Sequence, residues 1–420
     1  MRSPTGPLCA GPGRKTPARH LKMGLNTFER ITSRDNLNDT WKRLYSRTRP
    51  SSRNTRGVDG QSINDFAIDA NANLTKLFRN LRENKFNFDP LKSFLIPKKN
   101  GKDRLICVPT VRDRIVQRVL LENLSSKYAN KLGNNINFGF VRGRSVKMAV
   151  SIGCNLRGKY PWVFKTDIAS FFDKIDRQIL MSRVRGTVRQ RSLHEFLSSA
   201  MSSEIEPLIG SKAKRIAKLG LEIGMGVRQG MPLSPFFANL MLIQFDKAIE
   251  ERGFNAVRYA DDLIFFAKSE VECLKIEQFC IAELQKLKLE IPPISAGTKS
   301  FIYKPGEVAE FLGVGLCLAG ASYNLQIMPE QITKIRQEIL SFGSINELVT
   351  RKINLSNLSR TLTAKINGYL SAYELCSNVD ELERNLMDLE QRVLRKIYSV
   401  DLGIDITKLT LQKRLFLALS

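Results

Sequence analysis

Residues 256–267 read AVRYADDLIFFA, and the most informative pattern of the chain lies in this segment. Apolar and aromatic residues lie on both sides of the pair Asp261 and Asp262, which predicts two short strands joined by a tight turn. Both carboxylates then lie at the apex of the hairpin and can project together. A solvated turn has the same composition, so the pair alone does not define a site.

A third carboxylate comes from FKTDIASFFDKID at 164–176, where Asp167 ends the predicted strand WVFKTDI. Carboxylates on neighbouring strand ends repel one another unless a divalent cation binds between them. Two metal ions roughly 3.5–4 Å apart stabilise the attacking and leaving oxygens of a phosphoryl transfer. The pattern therefore predicts polymerase-type chemistry at Asp167, Asp261 and Asp262.

The charge of the chain predicts a polyanionic partner. Among 420 residues, 66 Lys and Arg stand against 41 Asp and Glu, a formal net charge of +25. Such an excess favours nucleic acid over a merely solvated basic surface. No apolar run approaches the roughly 20 residues of a membrane span, and no stretch resembles a secretion signal. Seven scattered cysteines without a C-x-x-C pair fit a reducing compartment, so we expect a cytoplasmic protein.

Only two histidines occur in the chain, His20 and His194. A zinc finger, a His-rich metal site and an H-N-H type nuclease are therefore excluded. Metal chemistry in this protein has to use carboxylates.

Strand and helix patterns mix along the chain. A hairpin is predicted at 91–108, helices at 61–86 and 110–132, and a further strand at GLEIGMGV, 220–227. From residue 328 onward the pattern is helical, as in DELERNLMDLEQRVLRKIY, where apolar residues recur at three- and four-residue steps. The order predicts an α+β fold with a mostly antiparallel sheet.

Eight collinear blocks between residues 55 and 400 resemble the reverse transcriptases of bacteria, in their group II intron-like lineages. They are TRGVDG at 55–60, IPKKNGKDRLICVPTVRDRIVQR at 96–118, FGFVRGRS at 138–145, FKTDIASFFDKID at 164–176, GVRQGMPLSPFFANLML at 226–242, RYADD at 258–262, TKSFIY at 298–303 and FLGV at 311–314. Within that lineage the chain is similar to the unknown-group and defence-associated enzymes, with a trimmed intron maturase as the alternative.

The resemblance implies a right-hand polymerase: fingers, a palm built from an antiparallel sheet with helices, and an α-helical thumb. The implied domains are a basic N-terminal arm at 1–54, of which 1–22 is expected to be disordered, fingers at 55–160, palm at 161–327, and thumb with C-terminal helices at 328–420.

The resemblance also implies roles for individual residues. Two Mg²⁺ ions, or Mn²⁺, are expected at Asp167, the Ile168 carbonyl, Asp261 and Asp262. Residues expected to contact the incoming nucleotide are Lys98, Lys99, Arg104, Phe172 at the sugar C2′, Gln229, Gly230 and Lys299, the last as proton donor to pyrophosphate. Residues expected to contact nucleic acid are Arg142, Arg144 and the primer-grip turn Phe311, Leu312 and Gly313. Asp173 and Asp176 are expected to cap the following helix.

The function implied is that of an RNA-directed DNA polymerase serving antiphage defence. Its expected partners are an RNA template, for which a dedicated non-coding RNA is one candidate, a DNA or RNA primer, and deoxynucleoside triphosphates. No membrane partner is expected, and the sequence does not identify an accessory protein. Two alternatives stay open: an RNA-binding splicing cofactor of the maturase type, and an RNA-templated RNA polymerase, which an aromatic Phe172 disfavours.

Overall fold

The structure, a computed structural model, describes residues 26–97, 101, 103–295 and 297–419. Strands β1 to β9 of this part span, in chain order, Lys92–Pro97, Asp103–Val108, Trp162–Asp167, Asn255–Tyr259, Asp262–Ala267, Phe301–Tyr303, Ala309–Phe311, Val314–Ala319 and Ser322–Gln326. Helices α1 to α18 span Thr27–Ile31, Arg34–Arg47, Ile63–Ile68, Ala70–Arg82, Val111–Lys127, Ala129–Leu132, Val146–Lys159, Phe171–Lys174, Arg177–Thr187, His194–Met201, Ser211–Ala217, Ser234–Glu251, Glu270–Gln285, Pro329–Leu340, Ile345–Thr350, Leu355–Ala372, Val379–Arg395 and Leu411–Phe416.

A four-stranded antiparallel sheet in the order β4-β5-β3-β6 lies at the centre. Successive side chains of a strand point to opposite faces. In β5, Leu263 and Phe265 enter one hydrophobic core, while Ile264 and Phe266 enter another. The strand is therefore apolar throughout because both of its faces are buried.

Each face of the sheet supports its own core. The first core joins the N-terminal helices, the β1–β2 hairpin, α5 and the long helices α12 and α13. The second joins α7, the β7–β8–β9 sheet and the C-terminal helices from α14 onward. The two cores bury the inner strands β3 and β5 from both faces.

The predicted α+β fold with an antiparallel sheet is confirmed. β1 and β2 pair antiparallel from Lys92 opposite Val108 to Pro97 opposite Asp103. The predicted helix after them is present as α5, with Ile115 and Leu124 buried. Helix α17 likewise buries the predicted stripe of apolar residues, including Leu382 and Leu386.

The strand predicted at 220–227 is wrong. This segment is a turn-rich loop with one isolated bridge, between Met225 and Asp176. Gly224 and Gly226 have φ values of +80° and +76°, which an extended strand cannot contain. The apolar Ile223 is 96% exposed, so it contributes nothing to a strand face.

The basic arm predicted at 1–54 does not describe residues 27–47. They form α1 and α2, whose faces bury Phe28, Leu37, Trp41 and other apolar residues in the first core. Asn26 and Ser33 cap the two helices through their side chains. Residues 1–22 lie outside the described residues.

Within the described part of the chain, no helix combines the length and apolar character needed to cross a membrane.

Candidate active site

The hairpin at 255–267 places its two aspartates at the turn between strands β4 and β5. Tyr259 pairs with Asp262, which leaves Ala260 and Asp261 as the turn. Ala260 has φ +59°, a left-handed backbone that is uncommon for a residue with a Cβ. Such strain persists only where surrounding contacts impose it.

A buried arginine imposes the shape of this turn. The Nε–H of Arg258 donates a hydrogen bond to Oδ1 of Asp246 at 2.6 Å, and an Nη1–H of the same guanidinium donates to the Ala260 carbonyl oxygen at 2.9 Å. Both side chains of the pair are almost fully buried. The cation between helix α12 and the turn therefore fixes the backbone immediately before Asp261.

Asp167 lies beside this turn because β3 and β5 are antiparallel neighbours. Asp167 is the last residue of β3 and stands opposite Asp262, while the Ile168 backbone N–H donates to the Asp261 carbonyl at 3.2 Å. The Lys299 ammonium, from the loop before β6, contacts Oδ2 of Asp167. The structure thus brings together the three carboxylates that the sequence predicted.

Burial and the charges of neighbouring carboxylates raise the pKa values of Asp261 and Asp262. Burial raises the pKa of Asp261, and the charge of Asp167 adds to this, opposed by Lys299 and Arg104. Burial followed by the charge of Asp261 raises the pKa of Asp262. Burial lowers the pKa of Lys299, but the hydrogen bond to Asp167 and the nearby carboxylate charges outweigh it and leave that pKa raised.

Among the described residues, no group of three or more His, Cys, Asp or Glu side chains is arranged so that it could hold a metal ion. The donor set still fits hard divalent cations, because these prefer carboxylate and carbonyl oxygens. Oδ1 of Asp167 is buried and accepts no hydrogen bond from the described part of the chain. A buried oxygen without a donor is costly, and a cation at this position satisfies it.

A cavity of about 430 Å³ lies between β2, the loop after β3 and helix α11. Its lining includes Arg104, Ser170, Asp173, Arg215, Lys218 and Gln229. The positive charge of Arg104 partly opposes the upward shift of the Asp261 pKa, so this guanidinium lies within electrostatic reach of the carboxylates. Arg104 therefore links the cavity to the acidic centre. The lining carries three cations, Arg104, Arg215 and Lys218, and two acids, and Arg215 is paired with the lining residue Asp103.

The residues predicted to contact the nucleotide are only partly gathered here. Arg104 and Gln229 line the cavity, and Gly230 packs against β2 so closely that a Cβ there would lie 2.3 Å from the Cys107 carbonyl oxygen. Phe172 is half-buried against the first core, between the lining residues Ser170 and Asp173. Lys98 and Lys99 lie outside the described residues.

The residues predicted to contact nucleic acid divide into exposed and structural ones. Arg142 is exposed. Arg144 instead donates to the carbonyl oxygens of Asn134 and Asn137 and stacks on Phe138, 4.9 Å from the ring centroid. Its guanidinium is therefore engaged in holding the 134–138 loop.

The predicted primer-grip residues form the turn between β7 and β8. Leu312 and Gly313 have φ values of +50° and +87°, and they join the two strands tightly. The Phe311 side chain is fully buried in the second core. Only the two turn residues of this predicted set remain near the surface.

The two aspartates predicted to cap the helix after β3, Asp173 and Asp176, have different positions in the structure. Asp176 caps α9, because its carboxylate accepts from the backbone N–H groups of Gln178 and Ile179. Asp173 does not cap a helix. It lies inside the four-residue helix α8 and lines the cavity.

Sequence reasoning missed helix α11 as part of the site. Arg215 makes a two-armed hydrogen bond to Asp103 at 2.9 and 2.7 Å, which attaches α11 to the turn end of the β1–β2 hairpin. The run SKAKRIAK carries four cations within a short helix and its end. That charge run was the available signal, but its segment stands outside the eight blocks.

Residues 96–316 match the family model described as reverse transcriptase (RNA-dependent DNA polymerase). This match covers more than half of the chain, and the chain belongs to that family.

Three curated relatives illustrate the similarity. Protein YkfC of Escherichia coli is 30% identical over 47% of this chain and 51% of its own length. The retron Mx162 reverse transcriptase of Myxococcus xanthus is 32% identical over 41% of this chain and 35% of its own. The group II intron-encoded protein LtrA of Lactococcus lactis is 24% identical over 54% of this chain and 39% of its own. The chain thus spans about half the length of these relatives or less.

Proposed function

We propose that this protein is an RNA-directed DNA polymerase that adds deoxynucleotides to a primer by two-metal nucleotidyl transfer. The observation that carries the proposal is the convergence of Asp167, Asp261 and Asp262 beside a cavity lined by Arg104 and Gln229. A splicing cofactor that only binds RNA has no need of three carboxylates packed at the cost of mutual repulsion.

Under this proposal Asp167, Asp261, Asp262 and the Ile168 carbonyl hold two Mg²⁺ ions, or Mn²⁺. When bound, these ions neutralise charge on the attacking and leaving oxygens. The primer 3′ oxygen forms a bond to the α-phosphorus as the bond to pyrophosphate breaks.

The chain's own cations act on the triphosphate. Arg104 lines the cavity and offsets the negative charge that builds on the leaving phosphates. Lys299, whose ammonium contacts Asp167, is the proposed proton donor to departing pyrophosphate. The ammonium carries the proton to be donated at neutral pH, since the ordinary pKa of lysine is about 10.4.

We assign the β1–β2 hairpin and residues 55–160 to the fingers, 161–327 to the palm, and 328–420 to the thumb and C-terminal helices. The template is RNA, the primer is DNA or RNA, and the basic surface binds their phosphates. The net charge of +25 supports such partners.

For the biological setting we propose antiphage defence with an associated non-coding RNA. Splicing as an intron maturase is the second candidate, favoured by the similarity to the group II intron-encoded protein LtrA. Sequencing the RNA that co-purifies with the chain from its own cells decides between them. A structured RNA encoded beside its gene supports defence, and enriched intron ribozyme RNA contradicts it.

The Phe172 ring determines whether the polymerase prefers deoxynucleotides over ribonucleotides. We expect Phe172→Val to raise ribonucleotide incorporation relative to deoxynucleotide incorporation by about ten- to a hundredfold, because a ring against C2′ excludes a 2′-hydroxyl by contact. The measurement is the ratio of kcat/KM values for the two nucleotides in primer extension on an RNA template.

Phe172→Tyr keeps the ring and is the matched control, for which we expect a ratio close to that of the wild type. If the wild-type protein already uses both sugars equally, the chain is an RNA-templated RNA polymerase instead. If Phe172→Val lowers the unfolding temperature and leaves the ratio unchanged, Phe172 is a core residue only.

The Arg215 guanidinium holds α11 against the cavity through its two hydrogen bonds to Asp103, and Lys218 at the end of the same helix also lines the cavity. We expect Arg215→Ala to raise the KM for deoxynucleotides roughly three- to tenfold with little change in kcat, because this attachment of α11 is lost; the change corresponds to about 0.7–1.4 kcal/mol. Lys214→Ala removes the same charge from the same helix, but Lys214 does not line the cavity. Equal effects of the two variants on KM would show that α11 acts only through general charge.

A further inference from the structure

Phe140 is an aromatic side chain exposed beside the carboxylate turn. It is 47% exposed and belongs to neither hydrophobic core. Its ring centroid lies 6.3 Å from that of Tyr259, at an interplanar angle of 44°. Tyr259 directly precedes the turn that carries Asp261, so the Phe140 ring stands at the rim of the proposed catalytic centre.

The backbone of Phe140 is held in a strained conformation. Its φ is +58°, in the left-handed region that bulky residues avoid. The preceding segment pairs with β4, since Phe138 N–H donates to the Arg258 carbonyl at 2.8 Å and Arg258 N–H to the Ile136 carbonyl at 2.7 Å. Strain of this kind persists only where the surrounding structure imposes it.

The residue before Phe140 is locked against the catalytic turn itself. A Cβ on Gly139 would lie 2.2 Å from the Ala260 nitrogen, so only glycine fits. The Gly139 N–H donates to the Asn137 side chain at 3.1 Å, and the Asn239 side chain donates to the Gly139 carbonyl at 2.9 Å. These bonds, and not the ring, fix the loop. The ring is therefore dispensable for the fold although its position is imposed.

A fixed, exposed ring with a cation close by suits a nucleobase. Aromatic side chains stack on bases of any sequence, and neighbouring basic residues contact the backbone phosphates. The exposed Arg142 lies two residues further along the same loop.

We propose that Phe140 is a positioning residue that packs against the terminal base pair of the template–primer duplex and holds the primer end beside the carboxylates. This inference rests on the proposed polymerase function. The ligand is the nucleic-acid duplex and not the incoming nucleotide, since Phe140 lies on the Tyr259 side of the turn and does not line the cavity that contains Arg104 and Gln229.

Three variants test this inference. Phe140→Gly removes the ring and also relieves the backbone strain. Phe140→Tyr keeps a ring at the same place. Asn84→Gly relieves a comparable φ of +54° at an exposed position far along the chain and controls for the strain alone.

The affinity of each purified protein for an RNA template annealed to a DNA primer is measured by fluorescence anisotropy without nucleotide, followed by extension at varied deoxynucleotide concentration. We expect Phe140→Gly to unfold at no lower temperature than the wild type, to bind the duplex roughly five- to a hundredfold more weakly, and to keep its deoxynucleotide KM within about twofold. We expect Phe140→Tyr and Asn84→Gly to bind as the wild type does.

Unchanged duplex affinity in Phe140→Gly overturns the inference. A loss confined to the KM for deoxynucleotides also overturns it, because the ring then serves the nucleotide. A lower unfolding temperature for Phe140→Gly would show that the ring stabilises the fold. The binding assay needs no catalysis, so a wild-type protein that makes no DNA counts against the proposed function while duplex affinity still decides the role of Phe140.

Discussion

The double variant Asp261→Asn, Asp262→Asn should lose DNA synthesis by at least about a thousandfold in kcat/KM, which corresponds to about 4 kcal/mol of transition-state stabilisation. Asparagine preserves the shape of both side chains but removes the two negative charges that hold divalent cations. The measurement is single-turnover primer extension on an RNA template with Mg²⁺ in excess.

Binding should behave differently from catalysis in this variant. Phosphate contacts dominate affinity for nucleic acid, so the Kd for template–primer should stay within a few-fold of the wild-type value. The matched control is Asp380→Asn, Glu381→Gln, which removes two adjacent exposed acids at the start of α17, outside the site. It should extend primers like the wild type. A double Asp261, Asp262 variant that retains a tenth or more of the activity would remove the basis for the catalytic assignment.

Arg258→Met should destabilise the protein by about 3–5 kcal/mol, because it leaves the Asp246 carboxylate buried without its cation. It should also disturb the turn before Asp261, since the hydrogen bond to the Ala260 carbonyl is lost. Urea unfolding followed by circular dichroism measures the first effect, and primer extension measures the second.

Two comparisons separate stability from positioning. The double replacement Arg258→Met, Asp246→Leu removes both charges and should recover much of the stability, but it should not recover DNA synthesis. Arg392→Met breaks an exposed pair with Asp388 and should cost at most about 1 kcal/mol. Full activity in the stable double replacement would contradict a positioning role for Arg258 at the turn.

The central sheet and its carboxylates were predictable because their signal is local. Two apolar stretches around Asp261 and Asp262 specify a hairpin, and the pattern that ends at Asp167 specifies a strand. Antiparallel pairing of β3 with β5 then brings the strand ends together without further information. The same reasoning found α5 and α17, whose buried stripes follow helical spacing.

The errors arose where tertiary contacts override composition. Residues 220–227 are apolar enough for a strand, yet the chain must turn at Gly224 and Gly226. Arg144 shows a tertiary role that its sequence context did not indicate, because it donates to carbonyl groups of its own loop; its contact with nucleic acid stays a prediction. Asp173 was expected to cap a helix, and it instead faces the cavity.

Two features needed three-dimensional information. Helix α11 is far from the β1–β2 hairpin along the chain, and the bonds of Arg215 to Asp103 and of Lys212 to the Ser93 carbonyl show that it lies against the hairpin beside the cavity. Phe140 stands in a predicted block, but its exposure and left-handed backbone follow from packing of Gly139 against Ala260. Neither the distance between segments nor backbone strain is encoded in local sequence patterns.

Primer extension by the purified full chain tests whether the protein is an RNA-directed DNA polymerase. The assay supplies an RNA template annealed to a DNA primer, the four deoxynucleoside triphosphates and Mg²⁺, with a parallel reaction containing a chelator in excess. We expect DNA products that reach the end of the template, and we expect no products when the metal is chelated. A folded protein that binds this duplex yet adds no deoxynucleotide with either Mg²⁺ or Mn²⁺ would contradict the proposed function.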